Sequence, residues 1–277
     1  MTTQELEQTR AAWDEIAAGY DEFVTRSHVV LGEDALRRAG LRPGMRFIDV
    51  AAGSGALSIP AARLGAQVLS TDVSPLMLER LKARARSERL DLKTQVMDGH
   101  ALELGDDSFD LSGSQFGVML FPDMPRGIAE LARVTRPGGR VVIVAFGPAT
   151  KVEFFGLFVR AIQAAVPGFT GPPMDPPPLP FQLHDPDRVH QVLAEAGLKD
   201  IRVETTTENL EFASGAHLWD WLVNSNPIAG EILAQLDLTE QQTALVRKAL
   251  DDMVRERSGG SGHAVLTSPI NIGIATK

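Results

Sequence analysis

The sequence contains no cysteine. Disulfides, thiolate metal sites and thiol nucleophiles are excluded with it. Long apolar runs are missing too: nowhere do about 18 apolar residues follow one another, the minimum for a membrane-spanning helix. Met1 to Arg10 is polar and lacks the apolar core of a signal peptide, so the expectation is a soluble, cytoplasmic protein. Positive charge is in short supply. Lys and Arg number 27 against 36 Asp and Glu, for a net charge of −9, which weighs against nucleic acid as the partner. The nearest thing to a basic run, Arg80, Lys82, Arg84, Arg86 and Arg89, falls on an expected helix and reads as its solvated face. There is no internal repeat. The 277 residues are 44% hydrophobic, enough to bury a full core as one large domain or one domain with a sizeable appendage.

What is present is a strand, a glycine turn and a distant acid. Phe47-Ile48-Asp49-Val50 is a short β-rich run, and Gly53 and Gly55 follow where the backbone must turn sharply and admit a ligand closely. Pro60 is tolerated only in the first turn of a helix, so the helix should start near Ala56 or Leu57 with both glycines left in the loop. A second apolar run, Val68 to Ser70, then delivers Asp72 about 20 residues downstream, the spacing at which a carboxylate can accept both ribose hydroxyls of an adenosine. A pyrophosphate site would place a third glycine where Ser58 stands, which weighs against a nicotinamide-linked dehydrogenase.

The rest of the chain alternates. Helices are expected over about 4 to 20, closing at Gly19-Tyr20-Asp21, and over about 28 to 39, ending at Gly40. Ser74-Pro75 opens a helix to about Arg89. Strands follow at Leu92 to Met97, Phe109 to Phe116 and Val141 to Phe146, with a helix over Ile128 to Val134 that stops before Arg136-Pro137-Gly138-Gly139. Strand–helix alternation over about 46 to 146 predicts a doubly wound, mostly parallel sheet, with its ligand beyond the carboxyl ends of the strands. Gly53, Asp72, Asp98 and Gln115 all fall at such ends. Beyond Gly147 come an apolar helix through Phe154, Phe155, Phe158 and Ile162, a proline-rich loop from Pro167 to Pro180, and a helix capped by Asp185-Pro186. Ile201 to Thr207 and Leu210 to Phe212 are expected as extended pieces, about 214 to 257 as helical with a Thr239–Gln242 capping box, and Ala264 to Ala275 as the final strand.

With these pieces placed, the sequence resembles the class I S-adenosylmethionine (SAM)-dependent methyltransferases, in particular the ubiquinone and menaquinone methyltransferase branch. The resemblance covers about residues 10 to 147. Four pieces carry it: Trp13 through Tyr20-Asp21, Phe47 through Gly55, Asp72 with Ser74-Pro75, and Ser108-Phe109-Asp110 with Arg136-Pro137-Gly138-Gly139. It implies an α/β Rossmann-like methyltransferase fold with a seven-stranded sheet, the last strand antiparallel, and a helical lid insertion. Residues 1–45 would form an N-terminal helical cap and 46–147 the SAM-binding core. Residues 148–277 would complete the sheet in the same domain, with substrate-covering insertions at 148–183 and 214–257. The cofactor would be SAM. Asp49, Ala51, Gly53 and Gly55 would line its methionine end, Asp72 would hold the ribose, and Val73 would also contact the cofactor. Asp98 would accept the adenine amino group with Gly99 and His100 beside the base, Gln115 and Phe116 would face the sulfonium, and Tyr20 would close over the cofactor. Ala51 departs from the family pattern, in which glycine is usual.

The acceptor is expected to be a small, mainly apolar molecule, methylated on oxygen, nitrogen or carbon, in a cavity built by Phe154, Phe155, Phe158, Phe169, Met174, Phe181 and Trp219, with Trp221 as a further roof residue. His28, His184 and His217 are the candidate general bases. His184, Asp185, Asp187 and His190 mimic metal-ligand spacing, but Asp185 serves better as a helix cap and no metal is expected. A monomer or homodimer is expected. The competing functions are an NAD(P)-linked oxidoreductase and a non-catalytic SAM-fold binding protein.

Overall fold

The computed structural model describes residues 3–225 and 227–277; the side chains of Pro227, Ile228 and Glu231 also fall outside that description. Met1 and Thr2 of the polar N-terminal stretch and Asn226 of the expected helical segment 214–257 therefore lie outside the described residues.

The first βαβ unit sets the frame. β1 (Arg46–Val50) and β2 (Gln67–Asp72) pair in parallel across α3 (Ser58–Arg63), and β1 buries Phe47, Ile48 and Val50 almost completely. Pro60 sits in the first turn of α3, so the helix begins slightly later than Ala56 or Leu57. α4 (Pro75–Ser87) starts with the Ser74 hydroxyl accepting the Met77 N–H and with proline at the first helical position. β3 (Lys93–Val96), β4 (Phe109–Gln115), α5 (Met124–Val134) and β5 (Thr135–Phe146) complete the parallel part. β5 includes Arg136-Pro137-Gly138-Gly139 and so begins earlier than the expected Val141. These residues are held in place: Arg136 Nε lies 2.6 Å from Asp110 Oδ1, and Asp110 Oδ2 accepts the Arg46 N–H at 2.7 Å. The two halves of the fourth piece that carries the family resemblance thus meet in one contact at the amino ends of the strands.

The sheet has seven strands in the order β3-β2-β1-β4-β5-β7-β6. β7 (Ala264–Thr276) runs antiparallel to both β5 and β6 (Lys199–Phe212). Val141 to Phe146 is buried along its whole length, each side chain larger than alanine contributing about 1.5–3 kcal/mol of hydrophobic stabilisation. The strand order reverses between β1 and β4, and right-handed crossovers then send α3 and α4 to one face and α5 to the other. That reversal leaves a crevice at the carboxyl ends of β1 and β4.

The flanking helices bring two differences from the sequence expectations. α1 (Thr3–Gly19) does not close at Gly19-Tyr20-Asp21; the chain continues in helical dihedrals through a π-helical turn (Tyr20–Thr25) into α2 (Arg26–Arg38). Gly19 is a crossing point and not a stop. A Cβ there would lie 2.1 Å from the Asn224 carbonyl oxygen of α8 (Gly215–Ser225). Arg84 is no part of a solvated face, because it reaches Asp21 at the π turn and ties that turn to α4.

In the second half, α6 (Glu153–Ala165) carries the apolar run and Asp185 caps α7 (Pro186–Glu195). The two extended pieces expected around 201–212 are one continuous strand, β6. α8, α9 (Pro227–Leu236) and α10 (Glu240–Arg257) form the insertion, α10 opening with the Thr239–Gln242 capping box. Among the described residues no helix is long and apolar enough to cross a membrane.

Candidate active site

The crevice opens as a cleft of about 710 Å³ over the carboxyl ends of β1, β2, β3 and β4. Its floor is the glycine turn. Gly53 adopts φ +53°, a left-handed conformation, and donates its N–H to Asp72 Oδ2 at 2.8 Å. Ser74 N–H donates to Asp72 Oδ1 at 2.9 Å, so the carboxylate at the end of β2 is aimed by backbone groups on both sides. Burial nonetheless pushes the Asp72 carboxyl up to about 6, against the lowering by these N–H bonds and with help from the nearby charge of Asp14.

Ala51 also adopts the left-handed region, at φ +56°. Its methyl is accommodated by Gly117, where a Cβ would lie 2.6 Å from that of Ala51. The departure from glycine therefore does not close the cleft, which Ala51 lines together with Gly53 and Asp72.

Asp98, Gly99 and His100 form the far wall. The His100 N–H and ring Nδ1 both engage Asp98 Oδ1, at 2.9 and 2.7 Å, and among the described residues no hydrogen bond reaches Oδ2. Burial opposes ionisation of Asp98, but these bonds prevail and hold its carboxyl below the usual range. The His100 ring packs on Phe121 with centroids 4.4 Å apart, an apolar slot beside the free carboxylate oxygen. α1 covers the cleft with Leu6, Thr9 and Trp13, and Arg10 Nε fastens it by donating to the Val73 carbonyl at 3.1 Å. The Thr25 and Ser54 hydroxyls, both fully buried, meet at 2.5 Å and pin the π turn to the glycine turn. Tyr20, presented by that π turn, places Cε1 3.3 Å from the position of a Gly53 Cβ. Its phenol is pushed up by burial and by the charges of Asp72, Glu208 and Asp49, and so stays protonated.

Two expected turn residues lie behind the cleft. Asp49 is 1% exposed and accepts the Ser58 hydroxyl at 2.6 Å, while Ser58 also meets the Ser70 hydroxyl at 2.7 Å. Burial drives the Asp49 carboxyl up to about 7, the Ser58 bonds opposing and the Asp72 charge reinforcing. Gly55 faces Leu81 of α4. Both support the turn from beneath and neither lines the cleft. Ser58, noted in the sequence only as a missing glycine, is the hydroxyl that holds Asp49.

A second cavity of about 470 Å³ adjoins the first and shares with it the wall formed by Trp13, Tyr20, Phe116 and Leu120. The remainder is Val24, His28, Met119, Phe146, Pro180, Trp221 and Ser225. Phe116, at φ +57°, is clasped between His28 and Phe146, with centroids 4.8 and 4.6 Å away. Gln115 lines the cleft and donates to the His28 carbonyl at 3.0 Å. A third, smaller apolar cavity of about 350 Å³ touches the second at Phe146 and Pro180 and is lined by Phe154, Phe155, Phe158 and Phe181.

Several sequence expectations are corrected by this geometry. His184 lies outside both the cleft and the second cavity, its Nδ1 2.7 Å from the Phe181 carbonyl oxygen. His217 lies outside both as well, accepting the Ala213 N–H at the start of α8. Met174 is exposed in the proline-rich loop and walls no part of the cavities. Trp219 packs into the helical insertion beneath Arg247, and its neighbour Trp221 is the one that reaches the second cavity. Phe154, Phe158 and Phe181 line the third cavity and not the one next to the cleft. Glu208 was missed, although Leu210 and Phe212 share its parity on β6 and all three are buried; dividing the strand at 207–210 concealed that alternation.

A family profile described as a methyltransferase domain matches residues 48–143. An uncharacterized protein of Mycobacterium tuberculosis strain H37Rv is 44% identical over 133 residues, 48% of this chain and 47% of that protein. The chain thus spans about half the length of the first curated relatives it matches. The demethylmenaquinone methyltransferase of Renibacterium salmoninarum is 30% identical over 208 residues, 70% of this chain and 85% of the relative. Among solved structures, the Haemonchus contortus phosphoethanolamine N-methyltransferase 2 in complex with S-adenosyl-L-methionine superimposes with a TM-score of 0.53 at 20% identity. That superposition covers 89% of this chain and 52% of that one, a likeness of fold.

Proposed function

Because this chain belongs to the class I SAM-dependent methyltransferases, we propose that it moves the SAM methyl group to a small, mainly apolar acceptor held in the second cavity. The observation that carries the proposal is the shared wall: Trp13, Tyr20, Phe116 and Leu120 line both the cleft and the cavity, so a group at that boundary belongs to both. The donor set suits SAM. Asp72 offers a carboxylate to a ribose diol, Asp98 Oδ2 faces no donor among the described residues and can accept from an adenine amino group, and His100 and Phe121 flank the place of the base. Ala51 and Gly53 expose backbone to the methionine end, and Gln115 and Phe116 stand toward the sulfonium, whose positive charge the aromatic faces favour.

When bound, SAM supplies a methyl group already activated by its sulfonium. The protein's own contribution is then alignment and exclusion of water. Tyr20 and Trp13 cover the boundary from α1 and the π turn, while Phe116, locked between His28 and Phe146, fixes the angle of approach. Such positioning of two reactants supplies several kcal/mol of the barrier reduction. The acceptor would be a small molecule and not a nucleic acid, which the net charge of −9 supports, and the setting cytoplasmic. Incubation with methyl-labelled SAM and a panel of phenols, quinones, amines and keto acids tests the reading. Label is expected on one of these classes. SAM binding without transfer to any of them would point to a binding protein, and absence of SAM binding would overturn the reading entirely.

A further inference from the structure

A cluster of unpaired polar atoms is buried behind the second cavity, where His28 of its wall meets β6. His28 is 3% and Glu208 7% exposed, and His28 Nε2 lies 3.3 Å from Glu208 Oε1. Neither nitrogen of the imidazole and neither oxygen of the carboxylate makes a well-aligned hydrogen bond. Ser268 stands opposite Glu208 in the β6–β7 pairing, fully buried, and its hydroxyl is unpartnered as well. A buried polar atom left unsatisfied forfeits its hydration with nothing in return. Apolar side chains would fill the same space at less cost, so packing does not account for the cluster. A ligand with a hydrogen-bonding atom does. His28 lines the second cavity, and its ring packs on Phe116, which also lines the cleft.

Resting on the methyltransferase reading above, we infer that the acceptor presents an ionisable hydroxyl to His28, that His28 is the general base for its proton, and that the methyl lands on that oxygen. Glu208 is a positioning residue that holds the imidazole by Nε2 and leaves Nδ1 for the acceptor. In the transfer step a lone pair of the acceptor oxygen forms the new O–C bond while the C–S bond breaks. Its electron pair stays on sulfur, giving neutral S-adenosylhomocysteine. The hydroxyl proton passes to His28, where the Glu208 carboxylate balances the imidazolium charge, and leaves to solvent when the methyl ether departs. Tyr20, the other ionisable group on this wall, stays protonated beside Asp72, Glu208 and Asp49 and is suited to donate, not to accept. The remaining wall, with Val24, Met119, Phe146, Pro180 and Trp221, is apolar, and the third cavity continues it past Phe146 and Pro180. The substrate class is therefore an aromatic or enolic hydroxyl compound with an apolar extension.

The test uses the full chain, its His28→Gln and Glu208→Gln variants, and para-substituted phenols graded in acidity from 4-nitrophenol to 4-alkylphenols. For the alkylphenols, His28→Gln should lower kcat by about 10²–10⁴-fold, the usual worth of a positioned base. SAM affinity by calorimetry should stay within about twofold. The loss should shrink for 4-nitrophenol, which is already largely ionised at assay pH. Glu208→Gln should lower kcat with KM nearly unchanged, and it carries the test if thermal melts show that His28→Gln does not fold. Mass spectrometry and NMR should place the methyl on oxygen. An equal loss at every acidity, unchanged kcat, a methyl on carbon, or SAM binding with no phenol methylated would each overturn the inference while leaving the cofactor assignment standing. A wild-type chain that does not bind SAM would instead remove the reading beneath it.

Discussion

Asp72, on the wall of the cleft, and Glu208, behind His28 of the second cavity, are both buried carboxylates, yet they are held by different means. Asp72 is aimed by the N–H groups of Gly53, brought alongside by the pairing of β1 with β2, and of Ser74, two residues along the chain. Glu208 meets the ring of His28, which α2 brings to it from 180 positions away. The donor side is thus preorganised by backbone geometry and needs little from the rest of the chain. The acceptor side is assembled by long-range packing and keeps its polar atoms unspent for a partner.

The largest expected effect falls on the donor side. Asp72→Ala removes the acceptor for the ribose diol and should weaken SAM binding, measured by calorimetry, at least about 100-fold, roughly 3 kcal/mol for charged hydrogen bonds. A change below threefold would break the contrast, because it would mean that the best-ordered carboxylate is not used.

Asp49→Asn comes next and acts on stability. The Asp49 carboxyl stands at about 7 in the folded chain, against an unfolded value of about 3.9. Between those values the native state binds more protons than the unfolded state, so Asp49 makes stability fall as pH rises through that window. The variant, which stays neutral and can still accept from Ser58, should be more stable than wild type at pH 8 by up to about 4 kcal/mol and nearly equal to it at pH 4. Urea denaturation at the two pH values measures this; a variant less stable at both would show that Asp49 must be ionised to hold the turn.

A paired substitution sharpens the acceptor side. Trp221→Ala should raise the acceptor KM about tenfold, roughly 1.4 kcal/mol, whereas Trp219→Ala should lower the melting temperature and leave KM alone. The reverse pattern would return Trp219 to the cavity wall. The smallest effect belongs to Ala51→Gly, which relieves a left-handed alanine at φ +56° and should shift stability by no more than about 1 kcal/mol, with SAM affinity unchanged.

The same contrast explains what could be read from the residues. The glycine turn, Asp72, Asp98 and Gln115 stand at strand ends, and strand ends follow from alternation along the chain. Gly53, Asp72 and the slot at Asp98 and His100 accordingly meet in one cleft. Depth is harder to read than position: Asp49 precedes the turn by only a few residues but points beneath it, to Ser58. Side chains that converge from distant elements leave no local pattern. His28 differed from His184 and His217 only through its packing, and Glu208 became visible only once β6 was seen as one strand. Trp219 and Trp221 are two residues apart on one helix, a separation of about 200° around its axis, which a list of apolar residues does not resolve.

The most direct test of the account is a crystal structure of the chain with S-adenosylhomocysteine. The adenosyl group is expected between Asp72 and Asp98, with the ribose hydroxyls on the Asp72 carboxylate and the sulfur at the wall of Trp13, Tyr20 and Phe116, facing the cavity of His28. A ligand seated elsewhere, or with its sulfur turned away from that wall, would contradict the union of donor cleft and acceptor cavity on which the proposed function rests.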